Sequence, residues 1–176
     1  MYKTLATLTA SAALMAGAAF AGPDIVDGPG VNPECFAPWT DETNFLQWEA
    51  REGPFRIAVV NGFVGNTWRI QMIKTAKAFA EDPSIADSIS DFKVVSTGTD
   101  APAQLGAIED FINQGYDAII TIAVSPDGFD RVIRLADRND VVLVPFDNVL
   151  DTDKVMQVNE DQLAMGRKFS EFVLGE

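Results

Sequence analysis

The sequence predicts a doubly wound α/β fold, a parallel sheet with helices on both faces, and three observations predict it. Four short apolar runs alternate strictly with three stretches of helical spacing between residues 55 and 150. The third run, Tyr116-Asp117-Ala118-Ile119-Ile120-Thr121-Ile122-Ala123, is apolar at consecutive rather than alternate positions, as expected of a strand covered on both faces. Connections of a few residues then require parallel neighbours joined by right-handed crossovers.

Residues 1–21 stand apart from this pattern. Lys3 is followed by an uncharged stretch, Leu5 to Ala21, ending in Ala19-Phe20-Ala21, which reads as a secretory signal peptide cleaved after Ala21. Its apolar heart, Leu8 to Phe20, is too short and too alanine-rich to span about 30 Å of hydrocarbon. Residues 22–54 carry Gly, Pro, Asn and acidic residues with scattered aromatics, Phe36, Trp39, Phe45 and Trp48. They read as an irregular arm with one short helix around Asp41 to Ala50, its aromatics packing the arm onto the body.

The first strand is Phe55 to Val60, followed by a helix from Asn66 to Ala80 with Ile73, Ala76 and Ala80 on one face and Met72 and Phe79 beside it. Phe92 to Ser96 forms the second strand. Its helix takes Asp100 as cap and Pro102 in the first turn, carries Leu105, Ile108, Phe111 and Ile112 as its stripe, and stops at Gly115. After the third strand, Ser125-Pro126 opens a helix whose Phe129, Val132, Ile133 and Ala136 face inward, and Val141 to Phe146 is the fourth strand. Lys154 to Val158 predicts one further strand and Asn159 to Leu174 one further helix, the start of a crossover into a second lobe.

Composition narrows the chemistry. Loss of Lys3 leaves 12 of the 13 basic residues against 26 acidic ones, a formal charge of −14, which disfavours nucleic acid and anionic membranes as partners. Such acidity leaves a neutral ligand unrepelled. With no histidine and a single cysteine, Cys35, the chain lacks His-based triads, Cys–His pairs and the common zinc sets, and Cys35 reads as an unpaired thiol. Gly62 and Gly65 match neither nucleotide-binding glycine pattern, so no cofactor is expected. A carboxylate pair such as Asp127 with Asp147 has the residue types of glycoside chemistry, but nothing in the sequence sets their separation.

In open parallel sheets, ligands bind beyond the carboxyl ends of the strands, where loops and helix amino-termini converge. The first such loop, Asn61-Gly62-Phe63-Val64-Gly65-Asn66-Thr67-Trp68-Arg69, offers amide, indole and guanidinium groups suited to the C–H faces and hydroxyls of a polyol. The same residues serve equally well if Asn66 or Thr67 caps the helix and Trp68 packs beneath it. Asp147 and Asn148 follow the fourth strand directly, where a carboxylate and an amide can meet hydroxyls or simply make a turn. Ser125, Asp127 and Asp100 are weaker candidates, because helix capping accounts for them.

Taken together, the export signal, FRIAVVNGFVGNTWRIQM, NQGYDAIITIAVSPDGF, VVLVPFDN and QVNEDQLAMGRKF make the chain resemble ribose-type periplasmic sugar-binding proteins from Phe55 onward. That resemblance implies two hinged α/β lobes closing on a sugar, delivery to the membrane permease of an ABC transporter, a monomer, a periplasmic location, and no catalysis. It implies Trp68 as the stacking aromatic and Asp147 as the carboxylate for sugar hydroxyls, with Asn66, or Asn61 in its place, beside them; Arg69, Asn148, Ser125 and Asp127 are ligand-binding candidates from their place in the loops at the strand ends. Thr67, Asn148 and Ala123 depart from the family pattern, which puts ribose itself in doubt. The expected organisation is signal peptide 1–21, arm 22–54, amino-terminal sugar-binding lobe 55–150, and 151–176 as the truncated start of the second lobe, so that half a cleft binds weakly. A chemosensory receptor of the same fold is the alternative, and an exported α/β enzyme a more distant one. A sugar-responsive transcription regulator would need a helix-turn-helix before Phe55 and no signal peptide.

Overall fold

The computed structural model describes residues 22–28, 38 and 41–175. The predicted signal peptide, Cys35, Phe36 and Trp39 lie outside the described residues. The elements run β1 (Asp24–Val26), β2 (Phe45–Gln47), β3 (Phe55–Asn61), α1 (Thr67–Ala80), β4 (Ile89–Ser96), α2 (Ala101–Asn113), β5 (Ala118–Ile122), α3 (Asp130–Arg138), β6 (Val142–Pro145) and α4 (Gln162–Leu174). The four predicted strands form one parallel sheet in the order β4-β3-β5-β6. Chain direction across the sheet reverses at β3, which passes first to β4 on one side and then to β5 on the other. The crevice at the carboxyl ends of β3 and β5 is therefore the topological switch point, the place where open α/β sheets take their ligands.

Helices α2 and α3 lie side by side on one face. Ala58, Val60, Ile119 and Leu143 of the strands meet Ile108, Phe111, Ile112, Phe129, Val132, Ile133 and Ala136 there, all of them buried. Ile108 has no exposed surface, so its truncation to Ala costs about 2–5 kcal/mol. Helix α1 packs against β4, outside that cluster, through its half-buried Ile73 and Ala76 and its buried Ala80. Asn66 and Asp100 cap α1 and α2 by accepting the Arg69 and Ala103 amides, and Gly115 at φ 73° follows the end of α2.

Several expectations are corrected. Residues 41–50 form no helix. Phe45-Leu46-Gln47 pairs antiparallel with Asp24-Ile25-Val26, since a short stretch of aromatic and polar residues gains more from cross-strand pairing than from an isolated helical turn. The arm is to that extent ordered. It also packs on the body as expected, with Trp48 lining a groove beside Phe55, Ile57, Ala118 and Val142. Helix α3 begins at Asp130 and not at Ser125, because Gly128 stands at φ 85°, a conformation no helix contains. Lys154 to Val158 makes only a single parallel bridge, Phe146 with Val158. The Gln157 side chain instead satisfies the Leu150 amide and the Leu150 and Thr152 carbonyls, which folds the segment into a turn. Phe79 of α1, expected beside the inward face, is exposed, and α4, starting at Gln162 behind its cap Asp161, buries no residue.

Candidate functional site

Asn61 ends β3 and is fully buried. Its Nδ2 donates to the carbonyls of Gly62 and Phe63, each at 3.3 Å, and to Ser96 Oγ at 3.4 Å. Oδ1 is left facing outward and accepts Arg69 Nη1 at 2.8 Å. Arg69 sits one turn into α1, and its Nη2 reaches Asp147 Oδ2 at 3.4 Å. Two candidates, Asn61 at the end of β3 and Asp147 after β6, thus converge on the guanidinium of a third, Arg69.

Asp147 holds a left-handed backbone, φ 64°, which Asp tolerates better than most residues but which still costs about 1 kcal/mol. The conformation is enforced on both sides. The Asp147 amide donates to Val158 O at 3.1 Å, and the Asn148 amide to Phe146 O at 2.8 Å. Among the described residues the Asp147 carboxylate has Arg69 as its one partner, and that contact is long for a charge-assisted bond. Acceptor capacity therefore remains at the mouth of the crevice.

Trp68 is 52% exposed, and the Arg69 guanidinium carbon lies 5.5 Å from its ring centroid. The ring does not pack beneath α1. It lines an open apolar groove of about 460 Å³ with Met72, Phe79 and Phe146. A flat, exposed indole beside a guanidinium and a carboxylate has the make-up of a saccharide platform, an apolar face with hydrogen-bonding groups at its edge.

The remaining candidates are placed differently. Asn66 is spent on capping α1. Asn148 turns inward, donating from Nδ2 to Ala123 O at 2.8 Å, so it ties the β6 exit to the β5 exit. Ser125 and Asp127 bond to one another in a local turn, with the Asp127 amide on Ser125 Oγ at 3.2 Å. Sequence reasoning missed Ser96, which supports Asn61, and Gln104, buried behind the loops. A Gln in an otherwise apolar helical stripe next to Leu105 was the signal for the latter.

Loop glycines keep the crevice narrow. A Cβ at Gly62 would stand 2.5 Å from Val124 Cγ2, and one at Gly65 would enter the ring of Phe63. Gly62 serves close approach to Val124 and the Gly98 carbonyl rather than a special φ, whereas at Gly65 the half-exposed Phe63 ring has room to swing aside.

Comparison with known proteins agrees with the fold. A periplasmic binding protein domain profile matches residues 57–174. An ABC transporter solute-binding protein from Thermobispora bispora DSM 43833 is 31% identical over 61% of this chain and 34% of its own, with a TM-score of 0.56. The binding protein of the arabinose ABC transporter from Shewanella sp. ANA-3, solved with α- and β-L-arabinofuranose, is 28% identical over 67% of this chain and 39% of its own, with a TM-score of 0.56. A periplasmic ribose ABC transporter protein from Conexibacter woesei DSM 14684 shares the fold at 17% identity, with a TM-score of 0.62 over 71% of this chain and 41% of its own. The chain thus spans between about a third and two fifths of the length of these structures. A search of curated proteins finds no match. Match, sheet order and switch-point crevice lead to one conclusion: the chain belongs to the periplasmic binding protein domain family.

Proposed function

We propose that the chain forms the amino-terminal lobe of an exported solute-binding protein that captures a sugar, without catalysis, for an ABC importer. The observation that carries this reading is the convergence of Asn61, Arg69 and Asp147 beside an exposed Trp68 at the switch point. A carboxylate accepting hydroxyls, a planar guanidinium donating to ring or hydroxyl oxygens, and an indole for the C–H face together suit a neutral polyhydroxylated ring. The ligands carried by relatives of at least 25% identity, L-arabinofuranose and 5-methylthioribose, support a pentose-sized ring in the five-membered form.

In this reading Trp68, Arg69 and Asp147 touch the sugar, the buried Asn61 orients Arg69 towards it, Asn66 and Asn148 hold the loops that carry them, and Ser125 and Asp127 border the crevice. The lobe runs over residues 55–150, the arm 22–54 braces its far end, and residues 151–176 lead towards a second lobe that closes over the sugar. Family membership supports a periplasmic location, reached through the signal peptide at residues 1–21. The permease of the importer is the macromolecular partner, and the protein works as a monomer.

Calorimetric titration of the mature full-length gene product against pentoses, hexoses and polyols tests this, with Trp68→Ala and Asp147→Ala as controls. One sugar is expected to saturate a single site and to lose at least a hundredfold in affinity in both variants, about 2.7 kcal/mol. A panel without any binder would contradict sugar capture, and binding unchanged in both variants would move the site elsewhere.

A further inference from the structure

The crevice is held from behind by a residue that touches no candidate ligand position. Gln104, one turn into α2, is 1% exposed and, among the described residues, is buried together with two other polar side chains, Asn61 and Thr121. Its Nε2 donates to Ile122 O at 2.9 Å and lies 3.3 Å from Val60 O and from Thr121 Oγ1. Its Oε1 accepts the Val124 amide at 2.8 Å. All four partners sit at the carboxyl ends of β3 and β5. Val60 immediately precedes Asn61, and Ile122 and Val124 flank Ala123, whose carbonyl accepts Asn148 Nδ2. Thr121 Oγ1 adds its own bond to Val60 O at 2.8 Å, so the two strand ends are cross-linked twice through side chains.

We infer that Gln104 is a positioning residue for the ligand crevice, fixing the spacing of Asn61, the β5 exit and Asp147-Asn148 relative to one another. The inference rests on the sugar-binding reading above and adds to it the group that sets the site's geometry from the core. Burying an amide costs free energy unless its donors and its acceptor are all satisfied, and here they are satisfied only by groups at the switch point. The side chain must both donate and accept, which Met and an ionised Glu cannot do. A binding constellation loosened by a fraction of an ångström loses much of its affinity, because several hydrogen bonds to one rigid ring must be met at once.

The test compares the unsubstituted protein with Gln104→Met, Gln104→Glu and Ile108→Val, the last a core change one turn along the same helix. In the ligand-free protein, Gln104→Met is expected to speed amide exchange of Ala123 and Val124 about tenfold more than Ile108→Val does, and to shift the side-chain amide resonances of Asn61 and Asn148. Equal effects of the two variants overturn the inference. In titration of the full-length gene product with the best sugar of the panel, Kd is expected to rise about ten- to a hundredfold in Gln104→Met and to stay within about twofold in Ile108→Val. Gln104→Glu is expected to recover affinity as the pH falls, since the protonated carboxyl again donates and accepts. An unchanged Kd in Gln104→Met, with sugar still bound, overturns the positioning role and leaves the sugar reading standing. Failure of the unsubstituted protein to bind any sugar overturns that reading, and the exchange comparison alone then decides for Gln104.

Discussion

The two ends of the sheet use the same chemical groups in opposite ways. At the amino ends of the strands, Arg56 donates to the Gln114 and Gly115 carbonyls and lies 4.2 Å from the ring centroid of Tyr116, while the Asp117 carboxylate accepts the Arg56 amide at 2.7 Å. Arg51 of the arm joins Asp117 and Asp140, and the Tyr116 hydroxyl donates to Asp91. Each arginine is engaged with several oxygens. At the carboxyl ends, Arg69 makes one short bond to Asn61 and one long contact to Asp147, whose backbone is held left-handed. Arginine–aspartate pairs by themselves are therefore uninformative. Backbone strain does not separate the two ends, since Asp140 in the brace is left-handed as well, φ 54°; what separates a site from a brace is the hydrogen-bonding capacity that Asp147 leaves over.

Substitutions on the two sides should divide accordingly. The largest effect is expected at Asp147→Gly, which removes the carboxylate while relaxing the φ 64° backbone: affinity falls at least a hundredfold, yet the protein gains up to about 1 kcal/mol in denaturant unfolding. Asp117→Ala is its mirror image. It strands the Arg56 amide and leaves Arg51 to Asp140 alone, lowering stability by about 1–2 kcal/mol while Kd for the sugar stays within twofold.

Arg69→Lys tests the planar fork. A single ammonium cannot reach Asn61 Oδ1 and Asp147 together with a sugar oxygen, so affinity should drop about tenfold or more in the same titration. Gly62→Ala should weaken binding by a similar or smaller factor, since its Cβ displaces Val124 from the β5 exit.

The smallest effect concerns pH at the bracing end. The Tyr116 hydroxyl, against the opposing effect of burial and with lesser help from Lys93 and Arg56, holds the Asp91 carboxyl below the usual carboxylate range. A folded-state pKa below the unfolded one gives stability that is present above the unfolded pKa and lost as the pH falls through the folded value. Tyr116→Phe is expected to raise the Asp91 pKa in an NMR titration and to flatten the acid limb of the stability curve, without altering sugar affinity. An altered affinity would join the two ends and break the comparison.

Much of the sheet was legible in the sequence because consecutive apolar residues, glycine stops and capping side chains each have one local meaning. The four strands, α1 and α2 came out within a few residues of their observed bounds. The arm was misread because Phe45-Leu46-Gln47 acquires its strand character only from Asp24-Ile25-Val26, some twenty residues earlier. The start of α3 was misplaced because Ser125-Pro126 looks like an opening signal, whereas the φ of Gly128 decides. Asp147 is a candidate through its position at a strand end. Asn148, Ser125 and Asp127 were assigned to the crevice by the same rule, but where a side chain turns at a strand end depends on which neighbouring carbonyl or hydroxyl needs a partner, and the sequence does not carry that. Gln104 escaped for the same reason: its partners are backbone atoms of two strands brought together by the fold.

The most direct test of the central claim is an NMR titration of the labelled full-length gene product with the sugar that saturates it in the panel, following side-chain signals at both ends at once. Perturbation of the Trp68 indole N–H, the Arg69 guanidinium and the Asn61 amide, with Arg56 and Tyr116 unmoved, is the predicted result. Saturable shifts centred on Arg56, Tyr116 and the arm, with Trp68 and Arg69 silent, would contradict the placement of the site at the carboxyl end of the sheet.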